Sequence, residues 1–310
     1  MMKKIVLVAA LAAIAAPAFA QSSVTLYGRI NTTVENKKIG NADRITTVDN
    51  NASRFGLKGI EDLGGGLKAS FVLESGFASD TGVAANPFWG RESQVTLSGN
   101  FGAVRLGNWF PGSYYASADY VSMHNHDTGD SADAFFGGAF IQKNKVAYFT
   151  PNVEGFNAEV AVAAGEGTLP RGYDVAGNYD MGDLHLGAGY SKQGDVNAYE
   201  GRALYTMGAF TFGGYIQREN NDANKANKSR NIGRLAVMYV LGASEFHLNY
   251  GGTQSGGTFG NTGAQQYTLA YNYNLSKRTK VYGYYTAVDN KAPNKFGDFS
   301  ALAMGIRHNF

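Results

Sequence analysis

A period of two runs through nearly the whole chain, and a period of 3.6 is almost absent. In Leu67–Glu74 one face carries Leu67, Ala69, Phe71 and Leu73, and the other carries Lys68, Ser70 and Glu74. Phe156, Ala158, Val160 and Val162 oppose Asn157 and Glu159; Leu184, Leu186, Ala188 and Tyr190 oppose His185 and Ser191. Phe246, Leu248 and Tyr250 oppose Glu245, His247 and Asn249, and Tyr267, Leu269, Tyr271 and Tyr273 oppose Gln266, Thr268 and Asn272. Successive side chains of a strand point to opposite faces, so these segments are amphipathic strands.

The connections between the strands alternate in length. Short ones fall at Asp62–Gly66, Gly99–Gly102, Pro151–Gly155, Met181–Asp183, Met207–Ala209, Leu241–Ala243 and Asn274–Arg278. Long ones, rich in Gly, Asn, Asp, Thr and Ser, fall near 36–52, 76–90, 110–142, 164–172, 192–197, 218–229, 251–263 and 287–299. Seven turns and eight loops join sixteen strands, with both termini on the short-turn side. A soluble sandwich hides its apolar face in a core and does not need this alternation. A transmembrane barrel shows apolar residues to lipid, polar ones to a wet lumen, and has short turns at one end and long loops at the other. Closure pairs every backbone group between strands, so the structure survives in lipid without helices. Aromatics at Phe156, Tyr190, Tyr250, Tyr273 and Phe310 stand near the ends of the lipid-facing rows, where interfacial girdles lie.

The N-terminus agrees with this. Lys3 and Lys4 precede an apolar run from Ile5 to Ala16, and Ala18-Phe19-Ala20 offers a cleavage site before Gln21. Residues 1–20 read as a secretory signal peptide and 21–310 as the barrel. The chain has no cysteine, so an exported protein of this length rests on hydrogen bonds and packing, without disulfides. Of its 27 Lys and Arg two fall in the leader, against 25 Asp and Glu, and this balance gives no electrostatic case for nucleic acid as a partner.

Several segments are recognisable. Ser23-Val-Thr-Leu-Tyr-Gly-Arg29 resembles the first strand of Gram-negative general-diffusion porins, and Ser53–Ala69 resembles their second strand, first turn and third strand. Leu97–Gly107 and the C-terminal Gly305-Ile-Arg-His-Asn-Phe310 are similar to the same family, especially its β-proteobacterial branch. The resemblance implies a sixteen-stranded antiparallel transmembrane β-barrel in the outer membrane, a homotrimer, a third loop folded into the lumen, and passive diffusion of ions and small hydrophilic solutes. It also implies contact with outer-membrane lipid and lipopolysaccharide, and recognition of Phe310 by the barrel-assembly machinery. It implies no cofactor, no metal and no catalytic residue.

The longest loop, about 110–142, is independently the candidate constriction, because loops beyond ~12–15 residues usually have a function. It carries Asp119, Asp127, Asp130 and Asp133 and no Lys or Arg. Where the family's third loop has Pro-Glu-Phe-Gly-Gly, this chain has Ala134-Phe-Phe-Gly-Gly138, without the glutamate. Basic residues take the lumen parity of the early strands: Arg29 alternates against Gly28 and Ile30, and Arg54 and Lys58 against Phe55 and Leu57. Arg91 resembles the arginine that opens the family's fourth strand. An inward Arg91 puts Glu92, Gln94 and Thr96 outward, which hints at a subunit interface, whereas the opposite parity puts Val95 and Leu97 outward. Arg29, Arg54, Lys58 and Arg91 facing an acidic loop would form a charged gap that tunes ion passage. Lys68, Arg202, Arg234 and Lys280 read as solvated barrel charges.

Enzyme signals are weak. His124-Asn-His126 beside Asp127 lacks further metal-ligand spacing, and the aspartates do not follow a calcium-loop pattern. His308 faces outward, but no serine-centred hydrolase motif accompanies it. A barrel enzyme and a plugged, adhesin-like barrel remain the rival classes.

Overall fold

The computed structural model describes residues 23–121, 123–124, 134–258, 263–290 and 297–310. The expected leader lies outside them. The strand segments are β1 (Ser23–Ile39), β2 (Ile45–Asn50), β3 (Arg54–Gly64), β4 (Leu67–Gly76), β5 (Glu92–Gly99) and β6 (Gly102–Asn108). They continue with β7 (Lys145–Phe149), β8 (Phe156–Ala163), β9 (Gly172–Met181), β10 (Leu184–Gln193), β11 (Val196–Met207) and β12 (Phe210–Asn221). The last five are β13 (Ser229–Leu241), β14 (Ser244–Thr253), β15 (Ala264–Asn274), β16 (Thr279–Asn290) and β17 (Phe299–Asn309).

From β3 onward each strand pairs antiparallel with the next, and β17 returns to β1 from Arg29↔Asn309 to Ile39↔Phe299. The sheet is therefore closed and has no edge. Both β2 and β3 pair with β1, along its second and first halves respectively. They are one stave interrupted at Asn51–Ser53, where Ala52 takes a φ of 54°. Seventeen segments thus make sixteen staves, the number read from the alternation.

All seven short connections lie where the sequence puts them. Gly182, Gly208 and Gly242 open two-residue turns at φ of 58°, 60° and 59°, the position a II′ hairpin reserves for glycine. Two of the eight long ones do not. The segment 36–52 is mostly strand, since β1 runs to Ile39 and β2 begins at Ile45. Lys37 and Asp49 join the two by an ion pair of 2.8 Å, and polar strand of this kind has the composition of a loop. The segment 192–197 is also strand except for a two-residue turn at Gly194.

The outward faces carry exposed Val, Ile, Leu, Phe, Tyr and Met, while the inward faces carry Arg, Glu, Asn, Gln and Thr. Rings form a ladder at the short-turn end, with Phe210 and Tyr239 4.7 Å apart and Phe246 and Tyr271 5.1 Å apart. A second ladder lies toward the other end, where Tyr190 and Tyr199 are 4.9 Å apart and Tyr267 and Tyr285 are 6.0 Å apart. These are the two girdles of a membrane barrel. The seam is closed by the last residue: Phe310 exchanges both backbone bonds with Gly28, each 3.1 Å. Its ring lies where a Gly28 side chain would be, 2.5 Å from an ideal Cβ, so glycine is required there.

Candidate functional site: the lumen

The described parts of the connection between β6 and β7 pack on inward side chains of the barrel wall. A short helical segment, Gly112–Tyr114 continuing as a π-helical turn Tyr115–Asp119, sits against inward side chains of β8–β11. Trp109 donates its indole N–H to Glu159 of β8 at 2.9 Å, and the Ser113 backbone N–H and hydroxyl donate to Asp174 of β9. The returning leg is held by Gln217 of β12, whose amide accepts from the Gly137 N–H and donates to its carbonyl, both at 2.9 Å. Gly137 lies flat on the ion pair of Arg230 with Glu219, where a side chain would collide with both partners.

An apolar core binds the loop to this wall. Tyr114, Ala118, Val121 and Phe135 of the loop pack with Leu204 (β11), Tyr215 (β12), Ile232 (β13) and Ala264 (β15). Phe135, which occupies the place of the family's glutamate, is only 2% exposed and points into this core. Fully burying such a side chain is worth roughly 1.5–3 kcal/mol. The missing carboxylate is thus replaced by adhesion of the loop to the wall.

Across the lumen stands the basic wall. Arg54 lies beside Arg29 in register, and the row below it runs Tyr27, Gly56, Glu74, Glu92. Gly56 leaves space for the Tyr27 ring to cross it, and the Tyr27 hydroxyl donates to Glu74 Oε2 at 2.9 Å. Glu74 Oε1 meets Arg91 Nε at 2.6 Å and Arg54 Nε at 3.6 Å. The Arg54 and Arg91 side chains stay 24% and 23% exposed, with Glu74 at 9%. Two guanidinium groups thus share the Glu74 carboxylate and keep part of their surface in water, with Glu92 next to Glu74 in the same row. Lys58 is exposed, with Nζ 5.2 Å from the Tyr27 ring centroid. Arg29 faces inward but is buried, and donates to the Ala52 carbonyl at 3.3 Å, so it braces the break in the second stave.

Arg91 precedes β5 and curls into the lumen. Yet Gln94 and Thr96 are buried on the inward face, while Val95 and Leu97 are exposed outward. The parity that put Glu92, Gln94 and Thr96 outward is therefore incorrect, because Arg91 belongs to the loop and reaches Glu74 without strand alternation. Asp119 ends the helical segment, half-buried. Asp127, Asp130 and Asp133 lie outside the described residues, as does His126; His124 is buried, its ring 6.1 Å from that of His247.

Two residues read as solvated charges are not solvated. Arg202 stacks on Tyr120 at 3.8 Å and donates to Asn178, and Arg234 donates to Asn249 and Gln266 at 2.6 and 2.8 Å. Both stand on the arc near the loop. Lys280 keeps an ion pair with Glu245 at 3.4 Å. Sequence reasoning missed Glu74 as the hub of the basic wall. It also missed the adhesion site, although Leu204 and Ile232 were visible as apolar residues on rows that should face water.

A family model described as Gram-negative porin matches residues 7–293. Outer membrane porin protein 32 of Delftia acidovorans is 33% identical, with all of both chains covered. An outer membrane porin protein of Bordetella pertussis is 28% identical over the same full coverage. Among solved structures, an anion-selective porin from Comamonas acidovorans superposes with a TM-score of 0.76 at 29% identity, covering 94% of this chain and 100% of that one. The trimer form of OmpT of Vibrio cholerae, at 17% identity and a TM-score of 0.69, shares the fold. With a closed barrel, two girdles and a charged lumen, the chain belongs to the Gram-negative porins, water-filled outer-membrane channels for passive diffusion of ions and small hydrophilic solutes.

Proposed function

We propose that the lumen narrows between the third loop and the wall carrying Arg54, Lys58 and Arg91, and that this gap favours anions. The observation that carries this is the pair of guanidinium groups on a single carboxylate, both reachable from water. The likeness to an anion-selective porin at 29% identity supports it. Arg54 and Lys58 are separated along the strand by about 13 Å, beyond the Debye length of ~8 Å at physiological salt. They act as successive charges on the path, and not as one site. Replacing both by Gln should move the reversal potential in a salt gradient toward cations, and the shift should shrink as salt rises. An unmoved reversal potential at low salt would overturn the assignment.

The functional unit of this reading is a homotrimer. Strands β5, β6 and β7 have 8, 7 and 5 residues, fewer than the roughly 9–11 that a tilted strand needs to cross the hydrocarbon core. Nearby, Thr32, Ser79 and Asn50 form a hydrogen-bonded polar group on the outward face, and Phe77, Phe88 and Trp89 gather on outward Phe55. Lipid is a poor neighbour for a short wall with polar atoms, and a second copy is a good one. Crosslinking between cysteines introduced at positions 32 and 88 of separate copies tests this. Phe310, closing the seam on Gly28, is also the proposed contact for the assembly machinery, and its deletion should lower the amount of inserted protein.

A further inference from the structure

The third loop presents rings, not only charges, to the gap. Phe110, Tyr114, Tyr115, Phe136 and Phe140 form one cluster with centroid separations from 5.0 to 6.4 Å. Tyr114 is buried at its centre, while Tyr115 and Phe140 remain 39% and 44% exposed. The charges close enough to act on the Tyr115 hydroxyl are those of Glu92, Asp119, Arg91 and Arg54. The cluster meets the wall through Phe110, which packs against Tyr115 at 6.0 Å and against Phe140 at 5.9 Å. Arg91 joins the two, with its guanidinium 5.0 Å from the Phe110 centroid and its Nε on Glu74.

A path meant only for inorganic ions gains nothing from exposed rings. A solute with a flat apolar body and one anionic end fits both sides. Its ring can lie on Tyr115 and Phe140, and its carboxylate can take the planar donor edge of Arg91 or Arg54, the geometry in which guanidinium binds carboxylate best. Asp119, on the loop near Tyr115, repels a carboxylate from the loop side and so fixes the orientation, while Glu92 stands on the wall next to Arg91.

We propose that the gap between Tyr115 and Phe140 on the loop and Arg54 and Arg91 on the wall is a binding subsite for small aromatic monocarboxylates. This rests on the reading of that gap as the permeation path. The subsite slows such acids in transit and concentrates them at the narrow point.

The test uses the full-length protein in planar bilayers carrying a chloride current, with benzoate and cyclohexanecarboxylate as probes. The two acids have the same charge and nearly the same size, and differ in the aromatic face. Benzoate should block at a concentration lower by roughly 2- to 13-fold, the factor that one aromatic contact supplies. Replacing Tyr115 and Phe140 together by Leu should bring the ratio of blocking concentrations to about 1, each acid being measured against that variant's own chloride current. Arg91→Gln should weaken both acids alike. Equal block of the unaltered protein by the two acids overturns the subsite, and needs no variant to assemble. A preference that survives the double substitution also overturns it. If the Arg54→Gln, Lys58→Gln shift in reversal potential is present and the acids still block alike, only the subsite fails. If that shift is absent, the gap itself is misassigned.

Discussion

Two arcs of the same lumen carry the same residue types and use them differently. On the arc of β8–β13, Arg230 and Glu219 are 2% and 0% exposed, Arg202 and Arg234 are buried, and the third loop lies on the ion pair through Gly137 and on Arg202 through Tyr120. On the arc of β1–β5, Arg54 and Arg91 keep about a quarter of their side chains in contact with water. Desolvation separates the two. A buried ion pair is structural because either partner alone would be stranded in a poorly solvated site. A wet guanidinium is held loosely by its partner, and its field extends into the path of passing ions. The loop therefore sets which charges of its own arc are scaffold.

The comparison can be broken most severely at the ion pair. Arg230→Met should cost about 3–5 kcal/mol by leaving Glu219 buried alone, seen as loss of the heat-modifiable folded form at lower temperature. Replacing Glu219 by Leu as well should restore most of the loss. If Arg230→Met is silent, the pair is wetter than its burial indicates and the two arcs are alike.

A smaller effect is expected at Gln217. Its Ala variant removes both bonds to Gly137, each worth about 1 kcal/mol net. The barrel should stay assembled while single-channel records become noisier, as the returning leg of the loop detaches. Shortening the loop around Asp119–Asp133 should go further in that direction and raise unitary conductance; unchanged conductance would move the narrow point elsewhere.

On the wet arc, single neutralisations should leave stability almost untouched. An isolated charge acts on an ion 4 Å away with about 1 kcal/mol in water, enough to move selectivity and too little to unfold a barrel. Lys280→Ala, which removes a partly exposed pair with Glu245, should be smallest of all, within about 1 kcal/mol in thermal unfolding.

The alternation of Phe246, Leu248 and Tyr250 against Glu245, His247 and Asn249 determined the barrel, because a strand has only two faces and each must suit its solvent. Strand number followed from the turns, and the inward parity of Arg54 and Lys58 from the same period. What alternation could not give is the state of an inward residue. Inward means wet only if nothing lies on top, and Arg29, Arg202 and Arg234 are inward and buried. For Arg202 that outcome depends on where a loop of some thirty residues, remote in sequence, comes to rest, with Phe135 meeting Leu204 and Ile232; for Arg29 it depends on the break at Ala52, and for Arg234 on Asn249 and Gln266 of the next strands. Glu74 is likewise tied to Tyr27 only through Gly56, whose missing side chain lets the ring cross β3 to reach it from β1. Local pattern sets which face a residue takes; contacts between distant segments set its solvent, and for a charge the solvent decides its role.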